Sequence, residues 1–112
     1  YNYLIGSPST LTIPMVPENA KSAWAQYSLL AESEAQRDKL RSRLNQENIP
    51  TAIYYPKPLH LQKVFTPLGY REGDFPVSES CARRVFSLPM HPYITAEEQE
   101  KVAGALKSSM VE

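Results

Sequence analysis

The sequence predicts an α/β domain of the α+β type, a two-layer sandwich in which a small, mostly antiparallel sheet of three or four strands is covered by helices. Three observations predict it. Short β-prone stretches alternate with longer amphipathic ones along the chain. Ser33 with Gln36, and Thr95 with Glu98, have the spacing of a helix-opening capping box. The chain has 112 residues, 42% of them apolar, which suffices for one core and leaves no room for two independent domains.

Residues 10–16 are β-prone, but Pro14 has no amide donor, so this stretch belongs at a sheet edge or a bend. Over residues 22–30 a period of two sets Ala23, Ala25, Tyr27 and Leu29 against Trp24, Gln26, Ser28 and Leu30, as in a strand with one face more buried. Ser33 opens a helix over residues 34–47. Leu40 and Leu44 form its inner stripe, Arg37, Asp38, Arg41, Ser42 and Asn45 face outward, and the pattern stops before Pro50.

Residues 49–55 are β-branched and aromatic in their middle and closed by Pro56, so the chain is expected to re-enter the sheet. Between residues 56 and 73 neither period persists and Pro56, Pro58 and Pro67 interrupt regular structure, giving an ordered loop with room for one short helical turn. Asp74 is placed to cap a helix over residues 75–84 with Pro76 in its first turn, and Val77, Cys81 and Val85 would share its inner face. Residues 85–88 read as a brief last strand before Pro89. Thr95 then opens a terminal helix with Val102, Ala105 and Leu106 inward and Glu97 paired with Lys101 at a spacing of four.

Twelve Lys and Arg balance twelve Asp and Glu, so no net positive field draws a nucleic acid or an anionic membrane, and neither is expected as a partner. No apolar run approaches the roughly 18 residues of a spanning helix. A soluble, cytoplasmic protein is expected, and the single cysteine, Cys81, agrees with a reducing compartment. One cysteine with His60 and His91 makes neither a disulfide framework nor a zinc site. Cys81 is expected as a small buried apolar residue without chemistry, and Arg83 and Arg84 as solvated cations. Ten prolines against four glycines make the loops stiff and shaped. The chain starts at Tyr1 with no initiator methionine or leader, and a piece of a longer protein is expected.

Polar chemistry concentrates in Tyr54-Tyr55-Pro56-Lys57-Pro58-Leu59-His60-Leu61-Gln62-Lys63, a proline-stiffened run of phenols, an imidazole, an amide and two ammonium groups suited to a polar ligand. Met90-His91-Pro92 is a second candidate, where His91 reads as a structural histidine. No phosphate loop, nucleophile elbow or metal-ligand spacing is present.

Taken in order, Trp24-Ala25-Gln26-Tyr27, Ile49-Pro50-Thr51 leading into Tyr54 to Gln62, Gly73-Asp74-Phe75-Pro76-Val77-Ser78-Glu79 and Leu88-Pro89-Met90-His91-Pro92 resemble the DegT/DnrJ/EryC1/StrS sugar aminotransferases. The resemblance runs from Tyr1 to Leu106 and matches their C-terminal small domain. It is nearest to enzymes that aminate a UDP-linked 3-keto-uronic acid on the way to bacterial surface polysaccharide such as O-antigen. It implies the C-terminal domain of a fold type I enzyme that uses pyridoxal phosphate to pass an amino group from glutamate to a nucleotide-linked keto sugar, as a cytoplasmic homodimer.

The catalytic lysine and the cofactor-binding groups of such an enzyme belong to a large domain absent from this chain. None of Lys21, Lys39, Lys57, Lys63, Lys101 and Lys107 occupies the matching motif, so the resemblance implies no catalytic, cofactor-binding or metal residue here and no cofactor bound by this chain alone. It implies a substrate-side wall at Tyr54, Tyr55, Pro56, Leu59, His60 and Gln62, with His60 foremost, Tyr55 next and Tyr54 more a packing residue. Ser78 departs from the family pattern, where alanine is common. The alternative reading is a free-standing sugar-binding or protein-interaction module that kept the fold without catalysis.

Overall fold

The computed structural model describes residues 1–111. A short helix, α1 (Asn2–Ile5), leads to the edge strand β1 (Leu11–Thr12), which pairs antiparallel with β2 (Tyr27–Ala31). Strand β3 (Val85–Leu88) pairs antiparallel with the other side of β2, giving the order β1-β2-β3. Helices α2 (Glu34–Gln46), α3 (Pro76–Arg84) and α4 (Ala96–Val111) supply the covering layer. Among the described residues the expected α+β architecture forms, with three strands and wholly antiparallel pairing.

The period of two along β2 turns Tyr27, Leu29 and Ala31 inward. Register sets Leu29 opposite Phe86 and Tyr27 opposite Leu88, and these join Leu40 and Leu44 of α2 and Leu106 of α4 in one core. Burial of each such side chain stabilises the fold by about 1.5–3 kcal/mol. Behind the same strand pair the hydroxyls of Ser28 and Ser87 lie 2.8 Å apart.

Helix ends follow local chemistry. Ser33 Oγ accepts the Gln36 amide at 3.1 Å, while the Gln36 side chain reaches back to the amide of Glu32 rather than that of Ser33. Thr95 and Glu98 close a full reciprocal box, at 3.1 and 2.8 Å. At the other end of α2, Asn48 takes a left-handed conformation with φ 59°. Its amide donates to Asn45 O and that of Ile49 to Leu44 O, a Schellman ending in which the apolar Ile49 and Leu44 are both buried.

Several expectations are corrected. The strand expected over residues 22–30 begins only at Tyr27, because Trp24 has φ 49° and breaks the extended run; its ring packs on Tyr27 instead, at 5.3 Å between centroids. Residues 49–55 do not form a strand. One residue, Ala52, bridges to Ser87 through two backbone hydrogen bonds of 3.2 and 2.7 Å. The 56–73 loop holds two 3₁₀ segments, Leu59–Leu61 and Lys63–Leu68, rather than one turn.

Asp74 does not cap α3. It accepts the Arg71 amide at 2.7 Å within the preceding turn, and Phe75 stands at the N-cap. The inner face of α3 is Glu79 and Ala82, not Val77, Cys81 and Val85: Val77 is 76% exposed and Cys81 only partly buried. Loop amides ahead of the helix demand an acceptor, and Glu79 turns inward to supply it. Arg37, expected outward, is buried, because the C-terminal end of α3 lies against α2 and the guanidinium meets the Ala82 carbonyl at 3.0 Å.

Candidate functional site

The Schellman turn directs Ile49 into the core, and the Ala52–Ser87 bridge then fixes the following residues beside β3. Beyond the bridge the chain meets a cis Tyr54–Tyr55 peptide and the proline-rich run. Opposite that run stands α3. Between the two is an open groove of about 460 Å³, with Tyr54, Tyr55, Lys57, Leu59 and Gln62 on one bank and Ser78, Cys81, Ala82 and Val85 on the other.

Tyr54 is a shared wall. Its other side borders a second groove, about 320 Å³, with Gln26, Thr51, Ser87, Met90 and His91 among its lining residues. The Tyr54 and Tyr55 rings meet edge to face at 5.7 Å, and Gln62 Nε2 donates to the Lys57 carbonyl at 3.2 Å, which closes the turn between those two residues. Phenol rings, an amide, an ammonium group and an apolar floor suit a ligand with both hydroxyls and a flat or ring-shaped face.

Of the residues that sequence reasoning selected, Tyr54, Tyr55, Leu59 and Gln62 line the larger groove. Pro56 is exposed on the loop between them. The His60 side chain is only 7% exposed and lies under the loop, its ring 4.8 Å from that of Phe75 and its Nε2 3.3 Å from Glu79 Oε2. His91 is exposed and its Nδ1 accepts the Tyr93 amide at 3.2 Å, which orders the turn before α4.

Sequence reasoning missed the far bank. Ser78, Cys81, Ala82 and Val85 follow the i, i+3, i+4, i+7 spacing of one helix face, whereas the expected face was Val77, Cys81 and Val85, which shares only Cys81 and Val85 with it. It also missed Glu79. This buried carboxylate accepts the Gly73 amide through both oxygens, at 2.8 and 3.0 Å, and the Phe75 amide at 3.2 Å. The Gly73 amide, followed by that of Phe75 and the nearby His60, outweighs burial and holds the Glu79 carboxyl below the ordinary carboxylate range. Among the described residues no cluster of three His, Cys, Asp or Glu could hold a metal ion. None of the described helices is long and apolar enough to cross a membrane.

Residues 1–107 match the DegT/DnrJ/EryC1/StrS aminotransferase family. The chain belongs to that family. A pleiotropic regulatory protein of Geobacillus stearothermophilus is 46% identical over 69% of this chain and 20% of its own length. A dTDP-3-amino-3,4,6-trideoxy-α-D-glucose transaminase of Streptomyces venezuelae is 32% identical over 93% of this chain and 26% of its own. A UDP-2-acetamido-2-deoxy-3-oxo-D-glucuronate aminotransferase of Pseudomonas aeruginosa is 31% identical over 83% and 24%.

The crystal structure of a DegT DnrJ EryC1 StrS aminotransferase from Brucella abortus, 41% identical, superposes with a TM-score of 0.81 over 96% of this chain and 27% of its own. The chain thus spans roughly a quarter of the length of these relatives.

Solved relatives are described in PLP and PMP forms, so full-length members of the family imply pyridoxal phosphate. A Schiff-base lysine needs a desolvated pocket and a charged partner for the pyridine nitrogen. In the larger groove the lysine, Lys57, is exposed, and among the described residues no carboxylate or arginine lines the walls. These residues alone do not fit the cofactor.

Proposed function

We propose that the complete protein is a pyridoxal-phosphate-dependent aminotransferase that passes an amino group from glutamate to a nucleotide-linked keto sugar, acting as a cytoplasmic homodimer. This chain is its C-terminal small domain and forms the substrate-side wall; the cofactor and the catalytic lysine belong to the large domain and the second subunit, and the chain by itself does not catalyse. The observation that carries the reading is the groove that gathers Tyr54, Tyr55, Leu59 and Gln62 on a rigid loop, in a chain of this family.

In this reading Tyr55 stacks on the ligand and Gln62 and the Tyr54 phenol hydrogen-bond its polar groups. Pro56 and Leu59 shape the loop, and His60 supports it from beneath. A UDP-linked 3-keto-uronic acid is the specific sugar proposed, supported by the 31% identity to the UDP-2-acetamido-2-deoxy-3-oxo-D-glucuronate aminotransferase.

In the complete enzyme, Tyr55→Ala is expected to raise the sugar KM about tenfold, equivalent to about 1.4 kcal/mol of lost binding, with cofactor absorbance unchanged. His60→Ala should act in the same direction. Unchanged kinetics in both variants would remove this loop from the sugar site. An intact native mass of 12.7 kDa would favour the free-standing binding module instead.

A further inference from the structure

Glu79 sits where its chemistry reaches beyond packing. It lies on α3 with its side chain 5% exposed, and its two oxygens collect the Gly73 and Phe75 amides, which ties the end of the 56–73 loop to the helix. The polar atom it faces in turn is His60 Nε2 at 3.3 Å, a fully buried nitrogen with no aligned hydrogen-bond partner. Phe75, whose amide Glu79 holds, packs edge-on against the same imidazole. The ring is thus wedged between an aromatic edge and a carboxylate.

A neutral imidazole carries one N–H and one lone pair. A lone pair on Nε2 only 3.3 Å from a carboxylate oxygen is repelled, whereas an N–H there is attracted even off-axis, and burial strengthens both effects. We propose that Glu79 is a positioning residue that holds His60 in the Nε2–H tautomer, so that Nδ1 is the ring's acceptor. Resting on the sugar-site reading above, the consequence is positional: Glu79, through His60 and the Gly73 and Phe75 amides, holds the underside of the loop that presents Tyr55 and Gln62 to the groove.

The test is nitrogen NMR of the protein with isotope-labelled histidine rings at about pH 8.5, two units above the ordinary imidazole value of about 6.5. The signal that disappears in His60→Gln assigns the ring. The expected spectrum shows His60 protonated on Nε2 with an unprotonated Nδ1. Glu79→Gln, which keeps an oxygen for the loop amides, should shift it toward a mixture of tautomers.

A proton on Nδ1 in the unaltered protein, or a pattern unmoved by Glu79→Gln, overturns the proposal. If that variant does not fold, the unaltered spectrum still decides the tautomer. The two readings fail separately. A wrong tautomer leaves the Tyr55→Ala sugar effect standing, and a null Tyr55→Ala result leaves the tautomer standing.

Discussion

Replacing Arg37 with methionine tests the least expected contact in the fold. Its Nη1 donates at 3.0 Å to the carbonyl of Ala82, in the last turn of α3, where carbonyls have no partner within the helix. The cation also sits at the negative end of that helix. A hydrogen bond to a charged donor contributes about 1.5–3 kcal/mol. The ion pairs with Glu34 at 3.5 Å and Asp38 at 2.9 Å add little, since those carboxylates are more than half exposed.

Methionine keeps the apolar stem and relieves the desolvation of the guanidinium, so the net loss falls near the lower part of that range, about 2 kcal/mol. At roughly 4 °C per kcal/mol for a domain of this size, the melting temperature drops by about 8 °C. Urea unfolding followed by circular dichroism reads the loss as a lower midpoint at constant m. A change below about 0.5 kcal/mol, the scale of an ordinary surface substitution, would refute the claim that this contact anchors the groove's far bank.

Asn48 occupies a left-handed position, so Asn48→Val should destabilise by about 1–2 kcal/mol in thermal melts while Asn48→Gly is neutral or stabilising; equal stability of the valine variant would contradict the assigned turn. Tyr1 and Tyr27 each have a phenol pushed up to about 12, by burial first and, for Tyr1, also by Glu98 and Tyr27. Because the folded values lie above the unfolded value of 10.0, the stability they contribute is intact below pH 10 and lost as pH rises through about 12. Alkaline titration should show phenolate absorbance appearing together with loss of circular dichroism, and Tyr27→Phe should weaken that coupling.

What the sequence determined by itself is the part of the molecule governed by neighbours a few residues apart. The capping boxes at Ser33 and Thr95, the stripe of Leu40 and Leu44, the inward Val102 and Leu106 and the short strand at residues 85–88 depend on spacings of two, three or four, and each is where periodicity put it. The groove's near bank was legible for a related reason: Tyr54, Tyr55, Leu59 and Gln62 lie on one stiff stretch.

Tertiary structure alone decided which polar groups went inside. Nothing within four residues of Arg37 says that it faces inward, because the acceptor that holds it, Ala82, is 45 residues away. Glu79 is buried because the chain ahead of α3 folds so that two amides have no other acceptor, and His60 is buried because that carboxylate and Phe75 close over it. Ala52 pairs with Ser87 across 35 residues, and this single bridge brings the Tyr54 loop to the far bank of α3. Periodicity measures how an element divides apolar from polar; only a folded neighbour can satisfy a buried charge, so these contacts appear with the tertiary structure and not before.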